Sequence, residues 1–334
     1  MSSKMNPMDP ASYNHKHARV NGINYHYVDE GGHNDQVIVL AHGFPDLWYG
    51  WRYQIPYLVK LGYRVIVPDF RGYGQTDAPH IEPGDKEGIR TYGLKNICKD
   101  MAQLLDVAVG PNSRAIFIGH DWGAMSVWRM CLHYPERVQA VGAICVPFNP
   151  PNNEYVTPEQ LVKAWPQWKY QLWFIKSTTD QELNSDIPRA LACTFRGAGE
   201  NTGLIAASSI NQLPTNPDRS PKMKLSEKEF EYYCKQFART GFHGPLNWYR
   251  TRRVNFEDEQ GDLARRITIP ALMVLAEEDA ALPPVMARNM PALVSKLTMK
   301  ELKTAHFVMM EKPNELNVII GDWLKAIGAG ASKL

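Results

Sequence analysis

The stretch Ala115-Ile116-Phe117-Ile118-Gly119-His120-Asp121-Trp122-Gly123 decides the fold. Its first four residues read as a buried parallel strand, and Ala124 to His133 repeats apolar residues at helical spacing. Between them the chain must make a sharp strand-to-helix turn with Asp121 at its crown, where such turns usually carry a serine nucleophile. Gly119 and Gly123 supply the small residues this crowding demands. A carboxylate so placed can attack an electrophilic carbon and leave an alkyl ester on the enzyme. An aspartate before a helix also serves as an N-cap, and the pentapeptide alone leaves both readings open.

Outward from this turn, strands alternate with helices. Asn21-Gly22 between short alternating segments suggests an opening hairpin, and Gln36 to Ala41 reads as a core strand. Arg64 to Pro68 is another strand, and Tyr92 to Val109 keeps one apolar helical face through Leu94, Ile97, Met101, Leu104, Leu105 and Ala108. Val138 to Val146 is the next strand. After a long interruption come a strand at Ala271 to Leu275, a helix near Pro284 to Met290, a strand near Leu297 to Leu302 and a closing helix from Pro313. This predicts an α/β class, doubly wound and mostly parallel, with a core over residues 1–147 and 248–334. The interruption, residues 148–247, is rich in Pro, Trp and Tyr and carries helical stretches such as Ser226 to Arg239, so it reads as a largely helical cap over the strand ends.

Open sheets of this kind bind ligands outside the carboxyl ends of their strands. Asp121, Asp279 and His306 fall in that layer in the chain order nucleophile, acid, base. Asp279 follows the Ala271 to Leu275 strand and His306 follows the next one. Glu277 or Glu278 could equally serve as the acid on position alone.

Composition bounds the rest. The chain has 334 residues, 44% hydrophobic and 22% charged, which suits a globular protein with a large core. A net charge of +2 with no dense Lys/Arg run gives no footprint for nucleic acid, and Arg250-Thr251-Arg252-Arg253 reads as a solvated helix face. Five scattered cysteines, 98, 131, 145, 193 and 234, suit reduced core thiols. No ligand spacing suggests a metal, His15 and His17 stand apart from other ligand types, and no cofactor is expected. No apolar run is long enough to span a bilayer. The carboxyl-terminal Ser332-Lys333-Leu334 is the tripeptide read by the peroxisomal import receptor, which makes that receptor the expected partner and the peroxisome, with some cytosolic protein, the expected location.

From about residue 17 to residue 326 the chain resembles the soluble epoxide hydrolases of the α/β-hydrolase superfamily. His42-Gly43-Phe44-Pro45 resembles their oxyanion-hole motif, Asp69-Phe70-Arg71-Gly72-Tyr73-Gly74 a post-strand turn, and Gly119 to Gly123 their nucleophile elbow. Lys169-Tyr170-Gln171-Leu172 and Pro245-Leu246-Asn247-Trp248-Tyr249-Arg250 are similar to the two segments that carry the family's acid tyrosines. The resemblance implies that Asp121 opens an epoxide by forming an ester, that Tyr170 and Tyr249 activate the epoxide oxygen, and that His306, oriented by Asp279, activates the water that hydrolyses the ester. It further implies an oxyanion hole from the backbone N–H groups of Phe44 and Trp122, substrate contacts from Phe44, Trp122 and Trp248, and a cis Phe44-Pro45 bond. Mammalian members carry an amino-terminal phosphatase domain, and with fewer than forty residues before the first core strand that second activity is not expected.

The resemblance leaves two other functions to weigh. A haloalkane or haloacid dehalogenase uses the same nucleophile and base, and Trp122 alone would permit it. Haloalkane dehalogenases usually offer a polar halide-binding side chain where Phe44 stands, and fluoroacetate dehalogenases commonly place Arg after the nucleophile. A noncatalytic receptor on this fold is the other alternative. Substrates are expected to be apolar epoxides. An import signal makes fatty-acid epoxides plausible, and detoxification of foreign epoxides is equally compatible. Trp165, Trp168, Trp173, Phe174 and Trp248 could line a channel or form the cap's own core.

Overall fold

A computed structural model describes residues 5–329 except 34, 201, 202, 224 and 262. Ser332, Lys333 and Leu334 therefore lie outside the described residues. Eight strands form one sheet: β1 (His15–Val20), β2 (Ile23–Glu30), β3 (Gln36–Ala41), β4 (Tyr63–Pro68), β5 (Ala115–His120), β6 (Val138–Ile144), β7 (Ile267–Ala276) and β8 (Val294–Leu302). Their spatial order is β1-β2-β4-β3-β5-β6-β7-β8. β1 with β2 and β2 with β4 pair antiparallel, and every later pairing is parallel. β3, β4 and β5 read as apolar runs because helices cover both faces of a parallel sheet. The opening hairpin turns at Asn21 and Gly22, both at positive φ, as two-residue turns of the tightest kind require.

The helices before β7 are α1 (Gln54–Lys60), α2 (Leu94–Ala108), α3 (Trp122–His133), α4 (Pro158–Ala164), α5 (Tyr170–Phe174), α6 (Thr179–Asn184), α7 (Ile187–Thr194), α8 (Glu227–Thr240), α9 (His243–Arg250) and α10 (Arg252–Asp258). After it come α11 (Met290–Leu293), α12 (Val308–Glu311) and α13 (Pro313–Ala326). The helix expected near Pro284 to Met290 is broken into a 3₁₀ turn at Pro284–Ala287 and the short α11. Pro291 explains the break: it has no N–H for the carbonyl four residues back, and its ring would strike that carbonyl.

From β3 the chain passes to one side, to β4, and then returns across to β5 on the other side. This reversal opens a crevice at the carboxyl ends of β3 and β5, and the Phe44 loop and Asp121 emerge there. Between β6 and β7 the described residues form helices and loops without a strand. The described residues of 195–225 are less helical than the sequence reading expects, with two 3₁₀ turns among them, because Gly197, Gly199, Gly203, Pro214, Pro217 and Pro221 interrupt any helical run. The boundary expected between residues 247 and 248 falls inside α9, whose backbone hydrogen bonds join Asn247 to Tyr249 in one rigid element.

α8 is tied to the sheet side of the molecule by buried polar contacts. Glu229 Oε1 accepts from Arg52 Nε at 2.8 Å, and both side chains are fully buried. Tyr233 donates to Asp46 Oδ1 at 2.8 Å, and Trp48 Nε1 donates to the Tyr232 hydroxyl at 2.9 Å. Glu229 is also the third helical residue of α8 and closes its capping box, its Oε2 accepting from the Ser226 N–H at 2.8 Å.

Candidate active site

Asp121 sits between β5 and α3 at φ 51°, ψ −122°, a conformation that costs a non-glycine residue about 1–3 kcal/mol. A Cβ on Gly119 would strike the Gly123 carbonyl, and one on Gly123 would strike the carbonyl of Ala41 in β3. The two glycines thus let the elbow close against both its own helix and the neighbouring strand. Asp121 precedes α3 but makes no side-chain cap hydrogen bond. Its Oδ1 instead accepts from the Phe44 N–H at 2.8 Å, across the crevice between β5 and β3. Burial raises the Asp121 carboxyl above its ordinary range, against the opposing pull of His306 and the Phe44 and Trp122 N–H groups.

β7 and β8 deliver the other two groups. Asp279, 3% exposed, turns back into its loop, where Oδ1 accepts from the N–H groups of Ala281 at 2.8 Å and Leu282 at 3.0 Å. Its Oδ2 accepts from His306 Nδ1 at 2.7 Å. Glu277 and Glu278, possible alternatives on position, are exposed. His306 Nε2 faces Asp121 Oδ2 at 3.7 Å. Burial opposes charge on His306, yet the charge and hydrogen bond of Asp279, joined by the charge of Asp121, outweigh it and raise the imidazole to about 9. Asp279 is likewise penalised by burial but held below its ordinary value by His306 and the two loop N–H groups.

Tyr170, at the start of α5, and Tyr249, near the end of α9, face Asp121 across a cavity of about 730 Å³ including its mouth. Their ring centroids are 6.3 Å apart. Burial first, then the nearby charges and phenols, raise both hydroxyls well above a free tyrosine, so both are proton donors at neutral pH. Phe44 and Phe174 pack on Tyr249 with centroids 5.3 and 5.0 Å away, fixing its ring. The Phe44-Pro45 bond is cis.

The cavity wall includes Asp121, Asp279, His306, Tyr170, Tyr249 and Phe44, whereas Trp122 and Trp248 are absent from it. Trp248 is 1% exposed, its Nε1 donating to the Arg71 carbonyl at 3.1 Å and its ring packed on Phe70. Adjacent helical residues point about 100° apart, so a helix that aims Tyr249 at the cavity aims Trp248 into the core. Trp122 backs Tyr249 edge-on at 5.2 Å, leaving its N–H as the part directed at Asp121. Of the cap aromatics considered, Phe174 lines the cavity. Trp168 donates to the Ala281 carbonyl at 2.7 Å and Trp173 is buried against Glu182. Sequence reading missed Thr194, the last residue of α7, and Arg196, Leu204 and Ile205, which come from the glycine-rich stretch after α7 and have no periodic signal.

His120, Cys145 and His306 bring three potential ligand atoms within 4.8 Å of one another. The chemistry does not favour a metal. Burial keeps the Cys145 thiol well above its ordinary value and therefore protonated, its Sγ donates to the His306 carbonyl at 3.4 Å, and His306 Nδ1 is held by Asp279 at 2.7 Å.

Residues 36–313 match the alpha/beta hydrolase fold family. Epoxide hydrolase srdG of Neurospora crassa is 32% identical, with 91% of this chain and 92% of that protein covered. The chain belongs to the epoxide hydrolases of the α/β-hydrolase fold. Among other members of this family, epoxide hydrolase A of Mycobacterium tuberculosis is 33% identical over 92% of this chain and 96% of its own. The crystal structure of epoxide hydrolase A from Mycobacterium thermoresistibile superposes with a TM-score of 0.81 at 32% identity, covering 96% of this chain and all of that one. The mouse bifunctional epoxide hydrolase 2 is 38% identical over 96% of this chain, which spans 57% of the mouse protein's length.

Proposed function

We propose that this protein hydrolyses apolar epoxides to vicinal diols through an ester on Asp121. The observation that carries the reading is the opposition, across one cavity, of a carboxylate and two protonated phenols. An Asp121 oxygen bonds to a ring carbon while that carbon's bond to the epoxide oxygen breaks. Tyr170 and Tyr249 hold that oxygen, and it takes a proton from one of them. His306 Nε2 then removes a proton from water, whose oxygen bonds to the Asp121 carbonyl carbon. The resulting oxyanion is held by the Phe44 and Trp122 N–H groups. Collapse passes the His306 proton to the departing diol, and the proton released as Asp121 returns to carboxylate restores the tyrosine. Asp279 keeps the imidazole oriented throughout.

The dehalogenase alternative needs donors for a departing halide. The Phe44 side chain in the cavity wall cannot donate, and two phenols suit an alkoxide better. Residues 148–247 are read as the cap over a core of residues 1–147 and 248–334, with α9 running across the junction between them. Ser332-Lys333-Leu334 supports peroxisomal delivery alongside a cytosolic pool, where lipid epoxides and foreign epoxides are both candidate substrates. The deciding experiment is one turnover of excess enzyme in heavy-oxygen water followed by peptide mass analysis. The ester route puts label into the Asp121 carboxylate, and label found only in the diol excludes it.

A further inference from the structure

The cavity wall contains one group for which the proposed reaction has no use. Arg196 follows α7 and shares the cavity with Asp121. The chain's other deeply placed arginines each meet a carboxylate: Arg52 with Glu229, Arg64 with Asp29, Arg71 with Asp100 and Arg129 with Glu259. Arg196 has no such partner among the described residues, and its Nε is closed off from solvent without a hydrogen bond. Of the acids lining the same cavity, Asp121 and Asp279 belong to the catalytic group, and neither Glu200 nor Glu278 forms an ion pair with Arg196. Glu200 Oε2 accepts from the Gly197 N–H at 2.8 Å and from the Ser220 hydroxyl, Glu311 Oε2 accepts from the Ala198 N–H at 3.2 Å, and Glu278 is exposed. Arg196 also lies beside the Cys193 thiol, but burial outweighs its influence and keeps that thiol above its ordinary value, so no counter-charge arises there.

A guanidinium remains charged in a protein interior, and leaving one of its donors dry and unpaired is costly. An anion entering the cavity would give the guanidinium the counter-charge it lacks and find a planar fork suited to two-point binding. Phe174, Leu204 and Ile205 give the same cavity apolar walls suited to an aliphatic chain. We infer that Arg196 is a specificity-determining residue that binds a carboxylate carried by the epoxide substrate, remote from its ring and joined to it by an aliphatic spacer. The inference rests on the epoxide reading above and deepens it: the acidic end of the substrate is held inside the cavity instead of trailing in water.

The test compares a long-chain epoxide bearing a terminal carboxylate with its methyl ester, using the wild-type protein, Arg196→Met and Arg196→Lys. The wild type should favour the acid. A hydrogen-bonded ion pair of this kind corresponds to a loss of about 10- to 100-fold in the acid-to-ester ratio of kcat/KM in Arg196→Met. Arg196→Lys should keep part of the ratio, with a steeper dependence on salt. An unchanged ratio in Arg196→Met, or a wild type that prefers the ester, overturns the inference. Should neither epoxide be hydrolysed, the epoxide reading fails, and calorimetry still tests Arg196 with a saturated carboxylic acid and its primary amide. Tighter binding of the acid, lost in Arg196→Met, sustains the anion site, and equal binding of acid and amide removes it.

Discussion

Replacing Asp121 with Asn should weaken the hold of His306 on the proton it carries in the free protein. The two groups lie 3.7 Å apart, with side chains 15% and 20% exposed. At an effective dielectric of about 20, opposite unit charges at that distance attract by roughly 332/(20 × 3.7), or about 4 kcal/mol, and one pKa unit corresponds to about 1.4 kcal/mol. Loss of the Asp121 charge therefore lowers His306 by up to about three units, and by at least about one unit after screening through the cavity mouth. Because His306 stands at about 9 with the carboxylate in place, it is protonated at neutral pH and cannot yet accept a proton from water. Esterification removes the same charge that Asn removes. The first chemical step thus prepares the base for the second. NMR titration of the His306 imidazole, assigned by comparison with His306→Gln, measures the shift in Asp121→Asn against the wild type. A midpoint near 9 in both proteins would refute the reasoning.

His306→Gln should still form the ester but hydrolyse it about 100- to 10,000-fold more slowly, so intact mass spectrometry should find one substrate adduct per chain. Tyr249→Phe should slow ester formation by roughly 100-fold or more, read as the single-turnover rate, without a comparable effect on hydrolysis of preformed ester. Alkylation requires the Asp121 anion, and since burial raises that carboxyl, its rate should fall with decreasing pH at a higher pH than an exposed aspartate would give. Glu229→Ala should destabilise the protein by about 3–5 kcal/mol by leaving Arg52 buried and unpaired, seen as a lower denaturant midpoint, whereas Arg52→Met with Glu229→Met should recover much of the loss.

The sheet, and the placing of Asp121 and His306 at strand ends, were legible because local rules dictate them. A run of β-branched and small apolar residues ending in Gly-X-Asp-X-Gly has few ways to fold, and strand ends at Asp279 and His306 follow from the same alternation. Asp279 was separable from Glu277 and Glu278 only in three dimensions, where its neighbours' N–H groups converge on one carboxylate. The cavity wall was the least legible part. Arg196, Leu204 and Ile205 arrive from irregular chain with neither period 2 nor period 3.6 to betray which side chains turn inward. Trp248 shows the complementary difficulty: a residue next to a cavity-facing tyrosine points away from the cavity by helical geometry alone.

Glu229 serves two neighbours at once, starting α8 with one oxygen and answering Arg52 with the other. A hinged lid would have to strip that carboxylate from Arg52 in every cycle, exposing one charge and stranding another. α8 is therefore a fixture instead of a door. Substrate and diol must come and go without its swinging away, and selection among substrates falls to the walls that other elements give the cavity.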